Sequence, residues 1–215
     1  MLKVTQSIKN ACDKDIADNL FYYKYGVKHL LSLIRKNVDP ESPEFISSYR
    51  SFEGEVFENY LYEKLVVYAQ ENEHVEKFII KGAHAENTKS IPNTISVNEK
   101  GQIVCRTNRN EIGEFDALIF TKNELYFVEM TLVKSVSSLR KRLRKKIALL
   151  EAYFPDLKVK ALLILNEGVV GTKVLPDYAI TWIIKPFSSQ KIFDWITFYK
   201  KKKTKTFSKS PFLIR

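Results

Sequence analysis

The chain has 215 residues, 45% of them hydrophobic and 28% charged, which suits one folded domain with a small appendage and excludes a disordered chain. No apolar run approaches the roughly 18 residues needed to span a bilayer, so no membrane partner is expected. A formal net charge of +10 favours a polyanionic partner, because each Lys or Arg that neutralises a phosphate releases a counterion.

The first expected element is a helix over residues 13–36. Ile16, Leu20, Tyr23, Val27, Leu30, Leu31 and Ile34 recur there at spacings of three and four. Asp39-Pro40 breaks it, since a residue before proline is pushed away from helical angles. A longer helix is predicted from Ser42 to Asn72. Ser42 can cap it, Pro43 suits its first turn and Glu44 adds an early acid. Phe45, Tyr49, Phe52, Val56, Tyr60 and Leu61 make its stripe, widened by Phe57, Leu65 and Tyr68. Glu53 falls near the middle of that apolar arc and Glu58 on its rim. A carboxylate there either snorkels to water, meets a lysine or serves a site.

Val75–Lys81 alternates like a strand. Residues 82–100 are rich in Gly, Asn, Ser and Pro and read as a loop, with one short strand at Ile95–Val97. Gln102–Arg106 is a further strand. The stretch from Glu111 to Thr131 then reads as a hairpin turning at Lys122-Asn123. Strict alternation puts Ile112, Glu114, Asp116 and Leu118 on one face of its first strand. Leu125, Phe127, Glu129 and Thr131 share a face of the second. If the two faces coincide, Asp116 and Glu129 converge at the end away from the turn, with Glu114 at the edge. A carboxylate in a half-buried strand loses hydration at a cost that a cation or hydrogen bonds must offset. Two of them on paired strands make a candidate divalent-metal site.

A basic helix is expected over Ser137–Phe154, capped by Ser137 or Ser138 and ended by Pro155. Its seam is Leu139, Leu143, Ile147, Leu150 and Phe154. Arg140, Lys141, Arg142, Arg144, Lys145 and Lys146 place six cations in seven positions without one acid, a pattern suited to phosphate contact. Arg140 and Lys146 flank the seam and are the cations expected to reach inward. Val159–Leu165 reads as a buried strand parallel to its neighbour, and Tyr178–Ile184 as another. Ser188–Tyr199 suits a short helix, and residues 200–215 a basic tail.

The fold class expected is therefore α/β, with a mixed central β-sheet flanked by helices. Residues 1–41 form an N-terminal helical segment, 42–199 the core and 200–215 the tail. Cys12 and Cys105 suggest no disulfide framework, and Met1–Gln6 lacks the apolar core of a secretion signal, so a reducing cytoplasm is the simpler setting. His29, His74 and His84 lack zinc-like spacing. No Gly-rich phosphate loop is present.

The order of these elements resembles the PD-(D/E)XK nuclease superfamily over roughly residues 43–165. Gly54-Glu55-Val56-Phe57-Glu58 is similar to its first-helix pattern, a Gly followed four residues later by Glu. Glu114-Phe115-Asp116-Ala117-Leu118 looks like the strand that carries its first metal-binding Asp. Val128-Glu129-Met130-Thr131 stands where the family has a hydrophobic residue followed by (D/E)-x-K. The resemblance implies a restriction-endonuclease-like core and a Mg²⁺ or Mn²⁺ ion on Asp116, Glu129 and the Met130 backbone carbonyl, with Glu58 completing the acidic cluster. It implies hydrolysis of phosphodiester bonds in nucleic acid, with DNA the first expectation and RNA left open by the sequence. The departure is Thr131, where the family usually has Lys. Some relatives move that lysine to the following helix, which makes Lys146 the candidate replacement and Lys134 the second. Two other functions stay open. One is a nuclease-fold module that binds nucleic acid without cutting it, and the other is a protein-interaction subunit. Oligomeric state is also open, a homodimer being common among enzymes that cut both strands.

Overall fold

The computed structural model describes residues 24–80, 95–97, 102–106 and 110–184. The expectations for residues 13–23, for most of the 82–100 loop, for the Ser188–Tyr199 helix and for the tail lie outside the described residues, as do Cys12 and His84. The described residues fall into two compact units, one running up to Tyr60 and the other starting at Leu61.

In the first unit, helix α1 spans Lys24–Arg35 and helix α2, Pro43–Glu71, begins. α1 stops because Asn37 adopts a left-handed conformation, φ 52°, which Asn tolerates better than most residues. The Val38 N–H then returns to the Leu33 carbonyl at 3.1 Å. Ser42 caps α2 as expected, its hydroxyl accepting the Phe45 N–H at 3.3 Å with Pro43 in the first turn. Leu30, Leu33 and Ile34 pack against Phe45, Phe52 and Val56 as this unit's core.

The second unit holds the sheets. Strands are β1 (Lys77–Ile80), β2 (Ile95–Val97), β3 (Ile103–Arg106), β4 (Glu111–Phe115), β5 (Ala117–Phe120), β6 (Glu124–Thr131), β7 (Lys158–Asn166) and β8 (Ala179–Ile184), with helix α3 (Leu139–Tyr153) between β6 and β7. A five-stranded sheet runs β1-β5-β6-β7-β8 and a three-stranded one β2-β3-β4. β1, β5 and β6 are antiparallel, whereas β6, β7 and β8 are parallel. This is the expected α/β fold with a mixed sheet flanked by helices. Among the described residues, no helix is long and apolar enough to cross a membrane.

The β5–β6 hairpin closes across Lys122-Asn123, with the Thr121 N–H on the Glu124 carbonyl at 2.9 Å. α3 follows because residues 139–153 are mostly strong helix formers. It ends as its backbone approaches Pro155. The expected serine cap is not made: Ser138 occupies the cap position with helical angles, φ −71° and ψ −18°, and no side-chain cap hydrogen bond. Ser137 instead exchanges a hydroxyl contact with Ser135 at 3.0 Å.

Leu139, Leu143, Ile147 and Leu150 line the buried face of α3 and join Leu118, Leu125, Phe127, Ala161 and Leu163 in one core. Each fully buried Leu or Ile contributes about 1.5–3 kcal/mol, so this seam fixes α3 on the sheet. The helix is thereby held over the strand that carries Glu129.

One expectation fails at Asp116. Residues 111–120 are not a single strand; a bend at Asp116 separates β4 from β5, and the two belong to different sheets. Strict alternation would send Phe115 and Leu118 to opposite faces. Both enter the same core instead, because the bend resets the facing of the chain.

Candidate functional site

Asp116 occupies that bend. Ala117 is opposite Val128 and begins the β5–β6 ladder, so Asp116 lies just beyond its end, on the side where β6 continues to Glu129. A backbone amide and a phenol are among the groups that hold the aspartate in place. The Met130 N–H donates to Asp116 Oδ2 at 2.8 Å. The hydroxyl of Tyr62, a buried residue of α2 within the second unit, donates to the Asp116 carbonyl oxygen at 3.0 Å.

Glu129 lies on β6 with its side chain only 3% exposed. A carboxylate that deep requires partners, and α3 supplies both. The Lys146 ammonium donates to Oε1, and a terminal guanidinium nitrogen of Arg142 is 2.8 Å from Oε2. Lys146 and Arg142 are four residues apart, so they share one side of the helix. Their surroundings differ. The Lys146 side chain is 11% exposed and its ammonium sits 5.2 Å from the centre of the Phe115 ring. The Arg142 side chain is 50% exposed.

Burial pushes the Glu129 carboxyl above the usual carboxylate range, and the negative charge of Asp116 pushes it further, against the pull of Lys146 and Arg142. Asp116 and Glu129 therefore repel across the bend, while Lys146 and Arg142 balance their charge. Among the described residues, no group of three or more His, Cys, Asp or Glu side chains is gathered to hold a metal.

Each of the other expected residues has its own place in the fold. Thr131 ends β6, half-buried opposite Leu165. Lys134 is exposed beyond β6. Arg140, Lys141, Arg144 and Lys145 are exposed on α3. Of the two cations expected to turn inward, Lys146 does and Arg140 does not; Arg142 takes that role. Glu114 is exposed on β4, opposite Val104 in the three-stranded sheet. Glu58 is half-buried on α2 and belongs to the first unit.

Sequence reasoning missed Tyr62 and the inward turn of Arg142. Tyr62 reads as one more aromatic of a broad apolar stripe, and its hydroxyl gives no local signal. The i, i+4 spacing of Arg142 and Lys146 was the available sign. A cavity of about 900 Å³ lies elsewhere, beside the Thr121–Glu124 turn, where Tyr68, His74, Tyr126 and Trp182 line it; Asp116 and Glu129 do not.

No family model matches the chain, and no curated protein matches it. Among solved structures, it is similar to protein VC1899 from Vibrio cholerae, at 11% identity over 93% of this chain and 57% of that one, with a TM-score of 0.43. The chain thus spans just over half the length of that protein, and at that score the likeness decides nothing about function.

Proposed function

We propose that the chain is a metal-dependent endonuclease of the PD-(D/E)XK type, hydrolysing phosphodiester bonds in nucleic acid, with DNA as its substrate in a cytoplasmic setting. The observation that supports this reading is the closeness of Asp116 to Glu129, with the aspartate on the Met130 N–H, its charge acting on the glutamate, and Lys146 on the glutamate. A basic helix face beside that pair adds a surface suited to phosphates.

The donor set fits a hard divalent ion. Mg²⁺ takes oxygen ligands, uses one or two carboxylates and keeps several waters, so a pair of acids suffices. Asp116, Glu129 and the Met130 carbonyl would hold it, and Glu58 is the further acid that the resemblance implies. Once bound, such an ion polarises a phosphoryl oxygen and lowers the pKa of a bound water. The chain's own groups do the rest. Tyr62 and the Met130 N–H orient Asp116. Lys146 brings the positive charge that Thr131 lacks. Arg140, Lys141, Arg144 and Lys145 attract the phosphate backbone.

The test is Mg²⁺- or Mn²⁺-dependent nicking of plasmid and single-stranded substrates by the wild type, Asp116→Ala, Glu129→Ala and Glu58→Ala. Loss of cleavage in the Asp116 and Glu129 variants supports the reading, and cleavage that survives both removes the assigned centre. Thr131 favours one second reading, a nuclease-fold module that binds nucleic acid without cutting it. That reading requires salt-sensitive binding with no cleavage under any divalent ion.

A further inference from the structure

Glu129 is held by two cations of unequal exposure. Lys146 is enclosed, with the Phe115 ring close to its ammonium. Releasing it would strand a charge in a poorly solvated place. Arg142 is half exposed and reaches the opposite oxygen of the same carboxylate. If it swings away, water rehydrates its guanidinium at once. It stands among Arg140, Lys141, Arg144 and Lys145, all exposed on the same helix, where a phosphate backbone would come to rest. A guanidinium matches a phosphate as well as it matches a carboxylate, with paired N–H donors for either.

We infer that Arg142 is an exchangeable counter-ion that couples divalent-metal binding to phosphate binding: it holds Glu129 Oε2 in the free protein and moves to a nucleic-acid phosphate when substrate docks. The inference rests on the nuclease reading of the Asp116–Glu129 pair and adds a residue that regulates it. The formal charges of Lys146 and Arg142 match those of the Asp116 and Glu129 carboxylates in number. A divalent cation arriving there competes with Arg142 for Oε2 and meets its positive charge. When a phosphate engages Arg142, both obstacles go together. Lys146 stays on Oε1 throughout. Coupling of this kind is reciprocal, so the metal also tightens the hold on nucleic acid.

The experiment is calorimetric titration of Mn²⁺ at pH 8 into the full chain, alone and saturated with a phosphorothioate duplex that resists cleavage. The wild type is compared with Arg142→Gln and with Arg144→Gln, which removes one exposed cation from the same helix but not from Glu129. The duplex should tighten Mn²⁺ binding to the wild type within the roughly 5–150-fold range of such couplings. R142Q should bind Mn²⁺ alone more tightly than the wild type does, with the duplex enhancement gone. R144Q should bind the duplex more weakly, with Mn²⁺ affinity in its absence within about twofold of wild type, since no direct contact with the site is lost. Wild type without enhancement, or R142Q with the enhancement intact, overturns the inference. So does an R144Q that behaves like R142Q, because general charge repulsion would then explain both. Asp116→Asn separates the premise: if wild type binds no Mn²⁺ in either state, or D116N binds it equally well, the metal centre itself is wrong.

Discussion

Lys146 reaches from α3 into the core and donates to Glu129 Oε1, joining the helix to β6 by an ion pair that is almost fully enclosed. Removing one partner of a buried pair costs roughly 3–5 kcal/mol when the other is left stranded. Here Arg142 still faces the glutamate, so Lys146→Met should cost less, on the order of 2 kcal/mol. The loss should depend on pH. A carboxyl raised above its ordinary range contributes stability at low pH that disappears as pH rises through its folded value. Burial and Asp116 already raise Glu129 in this way, and losing the lysine raises it further. The deficit of K146M relative to wild type should therefore be largest at neutral pH and shrink in acid. Urea melts from pH 4 to 8 check this, and a deficit that grows in acid would contradict it.

Tyr62 holds the backbone at the bend, its hydroxyl on the Asp116 carbonyl. Tyr62→Phe keeps the ring and removes the hydroxyl's bond to Asp116, at a cost of about 1 kcal/mol. On the nuclease reading the variant should lose turnover more than substrate affinity, since Asp116 is displaced while the basic face is untouched. A kcat and KM comparison on plasmid DNA measures it, and a change in KM alone would point away from a positioning role.

Gly113 lies on β4 under α3. A Cβ there would stand 2.9 Å from Leu149 Cδ1, the tip of a flexible side chain. Gly113→Ala should therefore be tolerated within about 1 kcal/mol once Leu149 turns aside, whereas Gly113→Val should cost about 1–3 kcal/mol through overpacking. Thermal melts of the two variants give the comparison. Equal losses would mean that the helix does not constrain this strand.

At the other end of β6, Lys160 is 2.5 Å from Glu124 Oε1, and the Tyr126 hydroxyl donates to Oε2. The Lys160 hydrogen bond, followed by that of Tyr126, holds the Glu124 carboxyl below the usual carboxylate range. A depressed carboxyl contributes stability above its ordinary range that is lost as pH falls through its folded value. The same bond to Glu124 raises Lys160, whose contribution is lost as pH rises through its own folded value. Glu124→Gln should flatten both the acid and the alkaline limbs of a plot of melting temperature against pH. Limbs unchanged from wild type would show that the pair contributes nothing.

Much of this architecture is legible in the residues. Ser42-Pro43 marks the start of α2, Lys122-Asn123 the turn of the hairpin, and the 139–150 seam the face of α3. These signals are local and act through backbone angles or helical period. The parallel partner of β6 could be read from the continuous apolar run of Val159–Leu165. The break at Asp116 could not, because Ile112 to Leu118 keeps a strand-like pattern while the chain passes from one sheet to another. Nothing within those seven residues reports that β3 and β6 are different neighbours. The nearness of the two carboxylates and the inward turn of Lys146 were legible as well. Which exposed-looking arginine turns inward depends on where α3 rests over Glu129, and that is decided by packing.

The most direct measurement of the central claim is an anomalous difference map from a crystal soaked in Mn²⁺. The expected result is a peak between Asp116 and Glu129, about 2.1 Å from an oxygen of each, the distance usual for a small octahedral divalent ion, with Lys146 still on Glu129. A map with no peak there at saturating Mn²⁺, with Lys146 and Arg142 both still on the glutamate, would contradict it and leave the pair as a structural ion cluster.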